Sequence, residues 1–312
     1  MRELFNIISA KPEEGSPVSR FFDAVERDAL VAPMYDAAVA LGTDIYKKKL
    51  PNCNDINNSH SVTKFFIAAA VGRLCDEGRI SLDDKVTSFF TSFPPDGNER
   101  WKNVSVYSTL RHMTGLGEDS IKCGVDAENS NEVIGEDFLS DTFRLSLPYE
   151  PEQYRRYSDA AYYLLGRIVS AASGMNARDY LNEEFFKPLC FSQWAMACCP
   201  MGYPIGGGGL FARAADIVKL GVVYARGGEL FGRRYVSKEW IDMSKSSDFA
   251  LSRFRDSDIW VKTGAHGQIV AFTDKRDSAA AWHGFASEDD HGKRNDRLLE
   301  AYLALLDEVR PK

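Results

Sequence analysis

Segments with strand character lie near both ends of this chain, and the segments between them have mainly helical patterns. Residues 37–41 and 44–50 flank a Gly-Thr pair and predict a hairpin, and residues 259–272 and 278–283 return to strand character. The sequence therefore predicts an α+β fold. One antiparallel sheet is built from both termini and flanked by helices, and a mainly helical region is inserted into it. A cleft is expected where the two parts meet.

The predicted sheet part comprises residues 1–60 and 248–312, and the helical part comprises residues 61–247. Because the chain crosses between the parts twice, we expect one integrated catalytic unit rather than two domains that fold separately. The run Lys47, Lys48 and Lys49 predicts a solvated edge strand. Apolar residues at helical spacing predict helices at 21–30, 61–77, 104–113, 136–145, 159–173, 176–187, 213–226, 237–244 and 295–309.

Composition argues against several classes of function. The 312 residues are 44% hydrophobic and carry a formal net charge of −7, which disfavours a general electrostatic grip on nucleic acid or on anionic membranes. No apolar run approaches the ~20 residues that span a bilayer, and the first residues are a poor signal peptide, so we expect a cytoplasmic protein. The six cysteines fit no zinc spacing and are interpreted as free, mostly buried thiols.

The first candidate for chemistry is the S-x-x-K sequence from Ser61 to Lys64, at the start of a predicted helix. Residues at i and i+3 share a helical face, so the hydroxyl and the ammonium are neighbours. Serine needs a base to become a good nucleophile, and a lysine serves only if burial or a nearby cation lowers its pKa. Taken alone, the tetrapeptide is a weak signal and favours the structural alternative, with Ser61 as a helix cap and Lys64 as a solvated side chain.

The second candidate is Tyr157-Ser158-Asp159, just before another predicted helix. A tyrosine beside a lysine ammonium can serve as a general base, because the cation stabilises the phenolate. Ser158 and Asp159 are also good helix caps, which is the structural alternative.

The third candidate is the run from Lys262 through Thr263, Gly264 and Ala265 to His266, which opens a strand. Its lysine can hold a carboxylate or tune the other bases, and its glycine allows a substrate to approach the strand edge. A backbone N–H here can complete an oxyanion hole with the N–H of Ser61. The alternative is an exposed strand end followed by a turn.

In this order, the three elements resemble the S-x-x-K, S-D-N and K-T-G set of penicilloyl serine transferases and class A β-lactamases. With a tyrosine in the middle element, the chain is similar to the branch that contains class C β-lactamases, D-Ala-D-Ala carboxypeptidases and serine esterases. The resemblance extends over residues 59–283 and includes the stretches 104–116, 149–174 and 206–240. It implies the β-lactamase and penicillin-binding-protein fold.

The same resemblance implies a role for each residue of the three elements. Ser61 would be the acylated nucleophile, Lys64 its proton partner, and Tyr157 the general base that later activates water. Asp159 would hold Lys64 or a substrate amide. The resemblance places Lys262, Thr263 and Gly264 on the far wall and the Ala265 N–H at the oxyanion, with His266 next to them either on the cleft wall or in solvent. It implies no metal and no cofactor.

Asp159 departs from the pattern of this branch, which usually carries Tyr-x-Asn. A carboxylate there would keep Lys64 charged, make it a poorer base and repel a substrate carboxylate, which favours Tyr157 as the base and weighs against β-lactams. The leading prediction is a serine hydrolase that acts on small esters or amides through an acyl-enzyme on Ser61. A β-lactamase or D-amino-acid carboxypeptidase remains an alternative, as does a non-hydrolytic penicillin-binding or sensor module.

Other residues receive structural interpretations. The glycine run at 206–209 is not a dinucleotide motif and predicts a tight loop under the cleft. His112 is interpreted as a hydrogen-bonded structural residue, and His283 and His291 have no spacing that implies a metal. Three aromatic residues are either parts of an acyl pocket or core residues: Trp194, Tyr203 and Trp260.

Overall fold

A seven-stranded sheet lies at the centre of the part that the computed structural model describes, namely residues 5–8, 11–51, 53–117 and 135–309. The strands of this sheet, in chain order, are β1 (Asn6–Ile8), β2 (Met34–Leu41), β3 (Asp44–Lys49), β9 (Ser252–Arg253), β10 (Trp260–Gly264), β11 (Gln268–Thr273) and β12 (Ser278–Gly284). Their order across the sheet is β1-β3-β2-β12-β11-β10-β9. Neighbouring strands are antiparallel except for β1 and β3, which are parallel.

Shorter strands lie outside this sheet, in the part of the chain between β3 and β9. They are β4 (Asn57–Asn58), β5 (Ala195–Met196) and β6 (Leu210–Ala212), which pair with one another, and the hairpin of β7 (Glu229–Leu230) and β8 (Arg233–Arg234). The pairing of β4 with β6 brings the segment before Ser61 against the segment after the glycine run.

The helices alternate with these strands and have recognisable ends. They are α1 (Pro17–Ala29), α2 (Thr63–Asp76), α3 (Val106–Leu110), α4 (Phe138–Arg144), α5 (Asp159–Ser173), α6 (Ala177–Leu181), α7 (Ala214–Ala225), α8 (Lys238–Ser246) and α9 (Glu288–Glu308). The side chain of Ser16 accepts a hydrogen bond from Ser19 N and Pro17 occupies the first turn, which begins α1. Gly174 ends α5 in the left-handed conformation, with φ of 72°.

Both faces of the central strands are buried, because strand residues alternate between two apolar clusters. On β2, Ala38 and Ala40 face the larger cluster, which includes residues of α2, α5 and α7. Ala37 and Val39 face the smaller cluster, which includes residues of α1 and α9. The small side chains on β2 allow helices to pack closely on each face of the sheet.

The predicted fold class is confirmed. The antiparallel sheet combines strands from both ends of the chain, α1 and α9 pack together on one face, and the segment between the strands is mainly helical. Helix α7 lies within the predicted helical part, yet it packs against β2, β11 and β12 of the sheet. The division of the chain into a sheet part and a helical part stays a prediction.

Several details differ from the sequence-based expectations. Strand β3 is not an edge strand along its first three residues, because β1 pairs with Asp44, Ile45 and Tyr46. A strand of three residues is too short for hydrophobic alternation to reveal it. Helix α9 begins at Glu288, seven residues before the predicted start at 295. The predicted helix at 104–113 contracts to α3, and the one at 176–187 becomes α6 followed by a π-helical turn at Asn182–Phe186.

The thiols match the expectation only in part. All described cysteines are free, but Cys190 is exposed and Cys199 is the one that is fully buried. Cys53, Cys75 and Cys198 are partly buried. Cys123 lies outside the described residues.

Candidate active site

Ser61 lies at the start of α2, within a single 3-10 turn formed by His60–Val62. Lys64 follows three residues later on the same helical face, and its Nζ donates a hydrogen bond to Ser61 Oγ at 3.0 Å. Ser61 is half-buried, whereas the Lys64 side chain is completely buried. The serine hydroxyl is therefore accessible, and the ammonium group stands behind it.

The Lys64 ammonium has two further acceptors, the carboxylate of Asp159 and the backbone carbonyl oxygen of Gly207, the latter at 2.6 Å. Burial by itself lowers the pKa of this lysine, but Asp159 and Tyr157 outweigh it and raise the pKa above its ordinary value. At neutral pH Lys64 is therefore an ammonium that is fully engaged as a donor, and it is unsuited to accept the serine proton.

Tyr157 lies two residues before α5, with its hydroxyl close to two cations. Lys262 Nζ donates to the tyrosine hydroxyl at 3.3 Å, and Lys64 Nζ lies 4.6 Å from the centre of the ring. Burial raises the pKa of the phenol, but the charges of Lys262 and Lys64 and the polar groups of Lys64 and Ser61 nearby outweigh it, so the pKa lies below its ordinary value. The residue is 42% exposed, so its ring borders the solvent while these groups surround its hydroxyl.

Lys262 comes from β10, on the opposite side of the cluster from α2 and α5. It is buried, and its pKa is lowered by burial and by the charge of Lys64, although Tyr157 acts in the opposite direction. Side chains alternate between the two faces of a strand, so Thr263 lies on the other face from Lys262 and is exposed. Among the described hydrogen bonds, none links the Thr263 side chain to Ser61.

Gly264 and Ala265 form the corner that follows. A Cβ at position 264 would stand 2.7 Å from the Ser59 carbonyl oxygen and 3.1 Å from Ser61 N, so only glycine allows β10 to approach the Ser59–Ser61 segment this closely. Ala265 begins a short turn at Ala265–Gly267 and is half-buried. The backbones of Ser61 and of the β10 corner are thus neighbours.

His266 lies in this turn with φ of 59°, a left-handed conformation that is costly for a side-chain-bearing residue. Its ring lies against the ring of His60, with centroids 5.1 Å apart, and stacks on Phe285 at 4.5 Å. The histidine is half-buried and belongs to an aromatic wall next to His60 and Ser61. Phe285 is 50% exposed, so this wall extends into solvent.

Two features of the site escaped the sequence-based reasoning. The carbonyl of Gly207 is a partner of Lys64, and a Cβ at this glycine would stand 2.6 Å from the Asp159 Cβ. The glycine run was a usable signal, since it predicted a tight loop near the cleft. The second feature is His60, which precedes Ser61 with φ of 46° and which no motif singled out.

His112 is buried against the ring of Tyr157. Its Nδ1 accepts a hydrogen bond from Ser158 N at 3.1 Å, and its ring lies 4.4 Å from that of Tyr157. Burial and the charges of Lys64 and Lys262 lower its pKa well below the ordinary value. The imidazole is therefore neutral and supports the Tyr157 ring from behind.

A cavity of about 240 Å³ opens beside Ser61. Its walls come from the β4 segment, the start of α5 and the glycine loop: Asn58, His60, Ser61, Asp159, Ala197, Ile205, Gly207, Gly208, Gly209 and Phe211. The aromatic candidates lie elsewhere, because Trp194 and Trp260 pack against the larger core cluster and the ring of Tyr203 contacts Arg167.

Two features are absent from the described ranges. Within them, no three His, Cys, Asp or Glu side chains are grouped as metal ligands would be. In the same ranges, no helix combines the length and the apolar character that crossing a membrane requires.

The fold and the residues around Ser61 are of the kind found in serine hydrolases. The chain belongs to the Beta-lactamase family, whose model matches residues 54–303. Penicillin-binding protein 4 of Amycolatopsis lactamdurans is 26% identical over 140 residues, which are 45% of this chain and 36% of that protein. The chain spans about a third of the length of the first curated relatives that it matches.

Solved structures share the fold at low sequence identity. A family VIII carboxylesterase superposes with a TM-score of 0.71 at 15% identity, over 95% of this chain and all of that one. A D-stereospecific amidohydrolase from Streptomyces sp. superposes with a TM-score of 0.66 at 15% identity, over 91% of this chain and 97% of that one.

Proposed function

We propose that this chain is a serine hydrolase that forms an acyl-enzyme on Ser61 and acts on small esters or amides. The observation that carries the proposal is the position of the Tyr157 hydroxyl, which accepts a hydrogen bond from Lys262 and also interacts with Lys64 and Ser61. Two ammonium groups stabilise a phenolate, and a phenolate beside the serine can take its proton. Lys64 is held charged by Asp159, which leaves Tyr157 as the base.

In the first half-reaction, Tyr157 accepts the Ser61 proton while Oγ forms a bond to the substrate carbonyl carbon. The carbonyl oxygen becomes negative and is stabilised by the N–H groups of Ser61 and Ala265. The bond to the leaving oxygen or nitrogen then breaks, and the leaving group takes the proton from Tyr157 as an alcohol or amine. The acyl group remains on Ser61 as an ester.

In the second half-reaction, Tyr157 accepts a proton from a water molecule while the water oxygen bonds to the ester carbon. The bond to Ser61 Oγ breaks, the proton returns from Tyr157 to Oγ, and the carboxylic acid leaves. Neither half-reaction consumes a cofactor, and the enzyme returns to its starting protonation state.

The size and charge of the cavity favour small, uncharged acyl groups. Its volume of about 240 Å³ suits a short acyl chain, and the Asp159 carboxylate lies in its wall. A negative wall repels a substrate carboxylate, which disfavours β-lactams and peptides with a free C-terminus. The shared fold of a carboxylesterase and an amidohydrolase supports the ester and amide class.

The test is the mass of the intact protein after exposure to a fluorophosphonate, with the adduct mapped by peptide sequencing. We expect one stoichiometric adduct on Ser61 and turnover of a small aryl ester such as an aryl acetate. The matched control is Ser61→Ala, which should fold normally and lose both the adduct and the turnover. Absence of an adduct on the unmodified chain would overturn the proposal.

A second candidate is hydrolysis of β-lactams or D-amino-acid peptides. It is favoured by Lys262, Thr263 and Gly264, which lie on β10 beside the nucleophile in the order of a K-T-G element. One relative by sequence is named penicillin-binding protein 4, and penicillin is a β-lactam. Cephalosporin turnover that rivals ester turnover would support this candidate, whereas a penicilloyl adduct that persists for hours would favour a non-hydrolytic binding or sensor module.

A further inference from the structure

A buried chain of hydrogen bonds links the sheet to the residue two places before Ser61. His283, on β12, contacts Asp36 of β2 through Nδ1 at 2.7 Å and Ser59 through Nε2 at 2.9 Å. All three side chains are buried, and Ser59 has no exposed surface. Residues from three separate parts of the chain thus form one buried polar path.

The Asp36 carboxylate is held on both of its oxygens. One oxygen pairs with His283 Nδ1, and the other accepts a hydrogen bond from Ala214 N at 2.7 Å. Because carboxylate oxygens only accept, Nδ1 is the donor to Asp36, and Nε2 shares a hydrogen bond with the Ser59 hydroxyl.

Ser59 cannot act as a nucleophile where it stands, because it has no exposure to any cleft. Its backbone, in contrast, is in contact with the proposed oxyanion site. Its carbonyl oxygen accepts from Val62 N at 3.0 Å and is the atom against which Gly264 packs. The position of Ser59 therefore sets the spacing between Ser61 N and the corner at Gly264.

His60, the residue between Ser59 and Ser61, is under backbone strain. His60 has φ of 46°, a conformation that disfavours any residue with a Cβ. Such a conformation persists only where the flanking residues are held on both sides. Ser61 is held by α2, and Ser59 is held by its hydrogen bond to His283 and by the bond from its N–H to Leu210 O at 2.8 Å.

We propose that Ser59, His283 and Asp36 are positioning residues that hold the strained turn and thereby align the Ser61 N–H for oxyanion binding. This inference rests on the proposed function, since it assigns a role in the same reaction. Loss of the Ser59 hydroxyl would let the turn relax and would misplace the N–H. Even a shift of about 1 Å in such a group can cost on the order of 100-fold in rate.

The test compares Ser59→Ala with Ser278→Ala. Ser278 lies on the same strand as His283, is equally buried, donates to Ala40 O at 2.7 Å and accepts from Tyr302 OH at 2.8 Å. Both variants lose a buried hydroxyl in the sheet region, so both should lower the melting temperature. We expect kcat for a small aryl ester to fall by roughly 10- to 100-fold only in Ser59→Ala, with KM unchanged.

Two further variants keep the test decisive. Ser59→Thr retains the hydroxyl and should recover most of kcat. If the Ser59 side chain only filled space, the recovery of kcat would not depend on the hydroxyl. His283→Gln breaks the same path one residue further from Ser61 and should reproduce the kcat loss if Ser59→Ala does not fold. The rate of fluorophosphonate labelling should fall with kcat, because phosphonylation uses the same N–H groups.

The outcomes separate this inference from the proposed function. If the unmodified chain labels on Ser61 but Ser59→Ala or His283→Gln keeps the kcat of Ser278→Ala, the positioning role alone is overturned. An adduct that maps to Ser59 overturns it as well, because Ser59 would then be a nucleophile. If the unmodified chain does not label at all, the proposed function fails and this inference fails with it.

Discussion

Lys262 and Tyr157 lie 105 positions apart in the sequence, and the lysine ammonium donates to the tyrosine hydroxyl at 3.3 Å. The contact joins strand β10 to the loop before α5, so one of the two charges next to the proposed base comes from the sheet. Lys64 approaches the same tyrosine from α2. The two cations come from different elements, and each can be changed separately.

Replacement of Lys262 should shift the pH dependence of the reaction. Its charge contributes to lowering the pKa of Tyr157, so Lys262→Met should raise that pKa. In the proposed mechanism the phenolate is the active form, so the acidic limb of the kcat/KM profile should move to higher pH. Lys262→Arg retains the charge and is the matched control. An acidic limb that stays in place in Lys262→Met would remove Lys262 from the activation of the base.

Removal of the Tyr157 hydroxyl should abolish most of the activity. Tyr157→Phe keeps the ring against His112 but has no group that can accept the serine proton, so kcat should fall by about 100-fold or more. Tyr149 is a tyrosine of similar exposure whose ring lies against Tyr154, and Tyr149→Phe serves as the control. Ester hydrolysis should be measured at several pH values. Near-full activity in Tyr157→Phe would contradict the role of Tyr157 as the base.

Neutralisation of Asp159 should act through Lys64. The carboxylate raises the pKa of the Lys64 ammonium, so Asp159→Asn should lower it, and the lysine should lose its proton at a lower pH. Since charged Lys64 helps to keep the phenolate stable, the alkaline limb of the kcat/KM profile should move to lower pH. Acylation by an anionic β-lactam should also become faster, because the repulsive charge is gone. An unchanged alkaline limb would show that Asp159 does not govern Lys64.

A side chain at position 207 should disturb the lysine from the opposite side. In Gly207→Ala, the new Cβ would stand 2.6 Å from the Asp159 Cβ, so the loop has to move and the carbonyl bond to Lys64 is weakened. We expect the free energy of unfolding to fall by about 1–3 kcal/mol and kcat to fall with it. Gly166→Ala in α5 is the control, because its Cβ meets nothing closer than 3.8 Å. Stability and activity are measured by urea unfolding and ester hydrolysis. Equal values in the two variants would contradict the expected loss in Gly207→Ala.

The parts of the site that the sequence could predict depend on local spacing. Ser61 and Lys64 are three residues apart at a helix start, so their contact follows from helical geometry alone. Tyr157 and Asp159 lie almost a hundred positions away, and only the resemblance of the ordered motifs connected them with Lys64. The order of strand-like and helical segments predicted the sheet for a similar reason, since alternation within each strand is a local signal.

The parts that could not be predicted depend on the register of distant strands or on backbone atoms. His283 meets Asp36 because β12 pairs with β2 in one particular register, and a shift of one residue would turn the histidine to the other face. The carbonyl of Gly207 is an acceptor that any residue type carries, so composition gives no indication of it. His60 has a left-handed conformation that only the surrounding contacts impose.

The neutral imidazole of His112 should make the folded protein sensitive to acid. Burial and the nearby lysines hold its pKa well below 6.5, whereas in the unfolded chain it binds a proton below that pH. Because the unfolded state then binds more protons, the free energy of unfolding should fall as the pH drops below 6.5, by up to about 1.4 kcal/mol per pH unit. His112→Asn can still accept from Ser158 N but does not titrate, so urea unfolding between pH 5 and pH 7 should show a shallower dependence on pH. Parallel curves for the two proteins would mean that His112 is protonated in the folded state as readily as in the unfolded chain.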